Sequence, residues 1–378
     1  MTTDVLLDAI GSFVASGEIP GAIVGLLRDG HVSFGAAGST TPGGDSPMTV
    51  DTPVRISSNT KPMAAALALS LAEEGALALR DPVERFVPEL AGRRVLARLD
   101  GPLEDTVAAE RLVTVEDLLT MRLGFGFVFE ADCLAVAAAA DAGLGMGPPD
   151  PSIPLSPDAW IARFAELPLV DQPGTAWRYE LAYAVLGVVL ARAGGRPLDE
   201  LLRERLFDPL RMTDTAFVAP PGRLPPCFAA GDTGLVVFDS AVDSRWAAAP
   251  AFPDARGGLV STAADLLRFA GALLDGGAGI ITPAAVAAMT TDRLTPQQRA
   301  GPSAQVFLDG AGWGYGVQIV PANDDASGPR YGWGGGLGTL WYSWPNHKAA
   351  AVLLTQVLPP SGELVSTFVT AAERAVTD

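Results

Sequence analysis

Ser58 and Lys61 stand three positions apart in Ser58-Asn59-Thr60-Lys61-Pro62. A helix beginning at Ser58 would put both side chains on one face, within reach of each other. A neutral serine is a poor nucleophile. A nearby lysine can take its proton once burial or a neighbouring positive charge has weakened the hold of the ammonium on its own. Pro62 fits the first turn of a helix, where the missing N–H costs little. The helix N-terminus would also favour negative charge developing on Ser58. The same spacing suits a plainer arrangement, with Ser58 capping a helix and Lys61 extended into solvent. Two further segments carry chemistry-bearing side chains: Trp177-Arg178-Tyr179 ahead of a helical run, and Tyr331 to Thr339, whose Trp333-Gly334-Gly335-Gly336 enters a C-terminal strand.

The elements that must position these residues can be read from patterning. Val5 to Ser16 has helical apolar spacing. Gly21 to Leu27 and His31 to Ala36 read as strands of a hairpin turned at Asp29-Gly30. A long Ala/Leu helix runs from the Ser58 region to near Glu74. Helices are expected at Leu112–Leu119, Asp132–Ala142, Trp160–Glu166, Tyr183–Arg192 and Leu198–Phe207. Another is expected after the cap-like Ser261-Thr262-Ala263-Ala264-Asp265. Gly312–Val320, Gly338–Ser343 and Ala349–Gln356 read as strands, and Leu364–Val376 as a closing helix. Strands at both ends with helices between them predict an α+β fold, with one antiparallel sheet flanked by helices and facing a mainly helical lobe. The expected unit is 1–378, with an α/β lobe from 1–80 and 300–378, a loop-rich helical lobe from 81–299, and a cleft between them.

Composition narrows the possible functions. The chain has 378 residues, 48% of them hydrophobic and 18% charged, enough for a sizeable core. Its 26 basic and 43 acidic side chains give a formal charge of -17, which repels nucleic acid and anionic membrane surfaces. Only Lys61 and Lys348 are lysines, so a lysine inside an apolar helix stands out. The two histidines, His31 just after the hairpin turn and His347 in another turn, form neither a zinc motif nor a Ser-His-Asp set. Cys133 and Cys227, 94 positions apart, read as reduced thiols. No apolar stretch approaches the roughly 20 residues of a membrane span. The acidic start from Met1 to Val14 is unlike a secretory signal, so cytoplasmic residence is expected. No metal or organic cofactor is expected, and a homo-oligomer is compatible with the sequence.

Together, the Ser58/Lys61 pair, Leu118-Leu119-Thr120 leading to Gly124, Pro173-Gly174 before Tyr179, Val185-Leu186-Gly187, Gly258 to Thr262 and Trp333-Gly334-Gly335 resemble, in order and spacing, the serine beta-lactamase-like hydrolases. That group includes class C beta-lactamases, D-alanyl peptidases and family VIII carboxylesterases. The resemblance spans nearly the whole chain. It implies that Ser58 is acylated, that Lys61 is its base and that Tyr179 handles the proton of the leaving group and later of water. It also implies an oxyanion hole made by the backbone N–H groups of Ser58 and Gly336.

Two departures bear on the substrate. Many relatives have Asn two positions after the tyrosine, whereas this chain has Leu181, with Glu180 between. Glu180 reads either as a helper of Lys61 or water or, as we expect, as a surface residue paired with a base such as Arg178. Trp333 stands where beta-lactamases use Lys and many related hydrolases use His, which removes a partner for a penicillin-like carboxylate. The form resembles the WGG pattern of family VIII esterases. The expected substrate is a small neutral ester in a pocket formed by Trp333, Gly334, Gly335, Phe125 and Trp344, with Phe127, Phe129 and Trp341 as further walls. Other outcomes are beta-lactam hydrolysis, D-amino-acid amidase or penicillin-binding peptidase activity, acyl transfer, or a non-catalytic protein that binds peptides or cell-wall fragments. Asp254 and Arg256 read as a salt-bridged loop.

Overall fold

The computed structural model describes residues 3–232, 234–322 and 327–377. Helix α1 (Asp4–Ala15) leads into β1 (Gly21–Arg28) and β2 (His31–Gly38). Asp29 and Gly30 turn this hairpin at φ 49° and 77°, the doubly positive pair that matches strand twist. The chain then leaves the sheet and returns to it after residue 311. It adds β3 (Gly312–Trp313), β4 (Gln318–Val320), β5 (Arg330–Gly335), β6 (Thr339–Trp344) and β7 (Ala349–Leu354). The sheet is antiparallel, in the order β2-β1-β7-β6-β5-β4-β3, so the two ends of the chain meet at the β1–β7 pairing.

The central strands are buried on both faces and therefore read as continuous apolar runs. Their pleat separates the two sides. Ala22, Val24 and Leu26 of β1 pack with Ala351 and Leu353 under α1 and the closing helix Gly362–Thr377. Ile23, Val352 and Leu354 face the larger core. Helix Ala263–Leu274 covers that second face, although it lies within the stretch 81–299 expected for the helical lobe. Its N-cap is Thr262, whose side chain accepts from the Asp265 N–H, a bond worth about 1 kcal/mol.

The stretch between strands is not purely helical. Cys227–Gly231 and Gly234–Asp239 form a hairpin extended by Val357–Leu358, and Arg94–Leu96 pairs with Thr106–Ala108. Helix α2 (Thr60–Glu73) runs through the middle of the molecule and is buried from Thr60 to Leu71. Its apolar residues surround the axis, the pattern of a helix with protein on every side. Helix α3 (Ala182–Gly194) packs along it. Cys133 and Cys227 are free and buried. Among the described residues no helix is long and apolar enough to cross a membrane, and no cluster of side chains could hold a metal ion.

Candidate active site

The nucleophile turn is built at the entrance to α2. Ser57–Asn59 form a single 3-10 turn, and the α-helix proper starts at Thr60, two residues later than the spacing predicts. Ser57 sits at φ 48°, in the left-handed region, at a cost of about 1–3 kcal/mol. Contacts from the sheet hold it there. Thr339 Oγ1 donates to the Ile56 carbonyl at 2.9 Å, and Asn59 Nδ2 donates to Thr339 Oγ1 at 3.1 Å. Gly335 at the end of β5 lies so close that a Cβ there would stand 2.4 Å from the Ile56 carbonyl oxygen and 3.1 Å from Ser57 Cβ. The glycine therefore serves close backbone approach between the third motif and the nucleophile turn.

Tyr179 arrives from the opposite side. Its carbonyl accepts from the Phe127 N–H at 2.5 Å, and its own N–H donates to Ser303 Oγ at 3.2 Å. Gly126 is required at this contact, since a Cβ would come within 2.4 Å of the Tyr179 carbonyl oxygen. The preceding Arg178 anchors the segment through Asp171 and Glu130.

Ser58, Lys61 and Tyr179 converge. Lys61 Nζ and the Tyr179 hydroxyl each lie 2.9 Å from Ser58 Oγ, both as donors. Lys61 also donates to the Arg256 carbonyl at 2.6 Å, and its Nζ stands 4.6 Å from the centre of the Tyr179 ring. Burial brings the Lys61 ammonium down to about 8, against the opposing pull of Glu180 and Asp254. Lys61 is thus not extended into solvent. Burial and the Glu180 charge push the Tyr179 phenol up, so it keeps its proton at neutral pH.

Trp333 does more than supply an apolar wall. Its indole N–H donates to the Tyr179 hydroxyl at 3.0 Å, so Trp333, Tyr179 and Ser58 form one hydrogen-bonded chain. The indole is held edge-on by Trp313, with ring centres 4.8 Å apart. Trp333, Gly334, Gly335 and Gly336 all line a cleft of about 1020 Å³ that opens over Ser58. Gly336 is the residue after the last β5–β6 pair, Gly335 with Thr339, and a Cβ there would meet nothing within 4 Å.

Several expected wall residues lie elsewhere. Phe125 is fully buried against Phe164 in the core, because the Gly124–Gly126 turn directs it inward and Phe127 into the cleft. Trp344 is fully buried beside Tyr342 on the side of the sheet under α1 and Gly362–Thr377. Trp341 packs on Phe269 and Tyr331, also away from the cleft. Phe129 is largely exposed and stacks on Phe127. The wall that patterning did not single out is Phe307, on helix Pro302–Leu308, with its ring centre 4.3 Å from that of Tyr179. The Pro302 start and Gly310 stop were the available signal for that helix.

Glu180 is not at the surface. It is buried 3.7 Å from Arg256, which is itself paired with Asp254 at 2.7 Å. Arg178 spends its charge on Asp171 and Glu130 instead. Leu181, in the place of the family asparagine, is fully buried at the start of α3. His31 is exposed at the start of β2.

An antiparallel sheet packed against a helical lobe, with a serine at the head of a buried helix bonded to a lysine one turn on, is the beta-lactamase and transpeptidase architecture. The chain belongs to the Beta-lactamase family, which matches residues 6–375. It is 39% identical over 310 residues to an uncharacterized protein of Mycobacterium tuberculosis, covering 79% of this chain and 73% of that one. It is 30% identical over 347 residues to Esterase EstB of Burkholderia gladioli, covering 86% and 83%. The solved structure of EstCE1, described as a hydrolase with promiscuous acyltransferase activity, superposes with a TM-score of 0.82 over 98% of both chains. Its 23% identity shows the shared fold alone.

Proposed function

We propose that the protein is a serine carboxylesterase of the family VIII type, hydrolysing small or medium neutral esters through an acyl-enzyme on Ser58. The observation that carries this reading is the pair of 2.9 Å bonds that Ser58 Oγ makes with Lys61 and Tyr179 at the foot of the cleft. With Lys61 neutral, one N–H stays on the Arg256 carbonyl and the lone pair faces the Ser58 hydroxyl. Ser58 Oγ attacks the ester carbonyl as its proton moves to Lys61, and the carbonyl π pair becomes the oxyanion. The N–H groups of Ser58 and Gly336 receive that charge. Collapse re-forms the carbonyl and expels the alkoxide, which takes the Tyr179 proton, and Lys61 returns a proton to the phenolate. Water, deprotonated along the same path, then cleaves the acyl-enzyme to acid and free Ser58. The Trp333 N–H stabilises Tyr179 while its proton is away.

Three features favour neutral esters over beta-lactams. The third motif offers an indole where a carboxylate would need a cation. Leu181 supplies no carboxamide for a substrate amide. Phe127, Phe307 and Val306 give the cleft an apolar and aromatic wall near Ser58. The similarity to Esterase EstB supports the same reaction. The test compares wild type and Ser58→Ala for p-nitrophenol release from a short-chain ester at matched folded concentration. Activity in wild type that is lost in the variant is expected. Equal rates in both, or none above spontaneous hydrolysis in either, would overturn the assignment.

A further inference from the structure

Glu180 and Arg256 are buried ionisable side chains that the reaction outlined above leaves unused, and both stand beside its base. The Glu180 carboxylate lies 3.7 Å from the Arg256 guanidinium, whose other arm holds Asp254 at 2.7 Å and whose own carbonyl accepts from Lys61 at 2.6 Å. Burial raises the Glu180 carboxyl, and the charges of Lys61 and Arg256 and the backbone of Gly147 oppose that rise. Arg256 is pinned further by a 3.0 Å bond to the Gly145 carbonyl. The groups that face Lys61 are therefore the Ser58 hydroxyl, the Tyr179 ring, two carboxylates (Glu180 and Asp254) and one guanidinium (Arg256). Of the two carboxylates, Glu180 acts on Lys61 the more strongly.

The charges in this buried group are matched to one state of the lysine. With Lys61 neutral, Glu180 and Asp254 outnumber Arg256 and the group holds one uncompensated negative charge. When Lys61 takes the proton of Ser58, the group becomes neutral. Burial of Lys61, Glu180 and Arg256 limits the compensation that water can give to the uncompensated state. Without Glu180 the order reverses, with the resting group neutral and the protonated one bearing a net positive charge.

We propose that Glu180 is a positioning residue that drives proton transfer from Ser58 to Lys61, by supplying the negative charge that makes the buried Lys61–Arg256–Asp254–Glu180 group neutral only after the transfer. This rests on Ser58 as nucleophile and Lys61 as base. It gives the residue after the tyrosine a part in a site that has Leu181 in place of a carboxamide. Because Glu180 follows Tyr179 directly, the chain positions the base and the proton donor through one segment.

The test is the pH dependence of kcat/KM for p-nitrophenyl butyrate in wild type, Glu180→Gln, Glu180→Asp and Asp254→Asn, with Ser58 occupancy measured by stoichiometric phosphonate labelling. Glu180→Gln is expected to move the midpoint of the rise in kcat/KM down by about one pH unit, the effect of removing one negative charge that acts on the buried Lys61 ammonium. The plateau is expected to fall about threefold as the base weakens. Glu180→Asp keeps the charge and restores the wild-type midpoint. Asp254→Asn lowers the midpoint by less, and carries the test if Glu180→Gln does not fold. A plateau loss with an unmoved midpoint in the two neutralising variants overturns the proposal and leaves Ser58 in place. Absence of labelling at Ser58 in wild type overturns the nucleophile assignment itself.

Discussion

Replacing Trp333 with Phe removes one hydrogen bond from the site while leaving an aromatic ring in place. The indole N–H is 3.0 Å from the Tyr179 oxygen, and that oxygen is 2.9 Å from Ser58 Oγ. In the resting enzyme the bond joins two neutral groups and contributes about 1 kcal/mol. As Tyr179 gives its proton to a departing alkoxide, the acceptor becomes a phenolate, and such bonds contribute about 1.5–3 kcal/mol. The differential stabilisation of the transition state is then about 0.5–2 kcal/mol, or about 2- to 30-fold in rate. The loss depends on the leaving group. An ethyl ester needs the proton and should show the full decrease in kcat. p-Nitrophenolate leaves without it and should lose only a few-fold. Both esters are followed with Trp333→Phe at equal folded concentration, with thermal unfolding to account for the smaller ring against Trp313. Equal losses on the two esters, or none on the ethyl ester, would refute a role for Trp333 through Tyr179.

Lys61→Met should abolish ester hydrolysis, and its stability relative to wild type should depend on pH. The folded protein holds the Lys61 ammonium near 8 against an ordinary 10.5, so between these values the unfolded chain binds more protons and wild-type stability rises with pH. The stability of wild type relative to Lys61→Met, read from denaturant midpoints, should rise by about 3 kcal/mol across that window. For the same reason wild-type kcat/KM should rise through about pH 8 as Lys61 becomes a free base. Gly335→Ala should lower activity at least tenfold and lower the melting temperature, because its Cβ would press on the Ile56 carbonyl at 2.4 Å. Gly334→Ala meets the end of Leu340 at 2.9 Å, which can turn aside, and the Thr339 carbonyl at an ordinary 3.7 Å, so activity should stay within a few-fold.

The sheet assembled from both chain ends was legible because β1, β6 and β7 are runs of apolar and β-favouring residues broken by clear turns. Asp29-Gly30 marked its hairpin in the same way. The Ser58–Lys61 spacing alone left a capping serine and a solvent-extended lysine open, and the pair, like Tyr179, was singled out by its place in an ordered set of motifs. What failed was direction. Phe125 and Phe127 alternate in sequence, and which one faces the cleft is decided by how the Gly124–Gly126 turn seats against Asp171 and Tyr179, contacts distant along the chain. Trp344 follows Trp341 by an odd number of strand positions and therefore points to the other face of the sheet. Glu180 looked like a surface acid because its partner, Arg256, is 76 positions away. The pairing of Cys227–Gly231 with Gly234–Asp239 was hidden by weak alternation, with Val236 and Val237 both exposed at its edge.

The most direct test of the acyl-enzyme is to trap it. Wild-type protein mixed with excess p-nitrophenyl butyrate and quenched in acid within the first turnovers should gain the mass of one butyryl group, mapped by peptide sequencing to Ser58. Ser58→Ala should gain none. Butyryl found on another residue, or steady hydrolysis with no covalent adduct at any quench time while Ser58→Ala remains as active as wild type, would contradict the account.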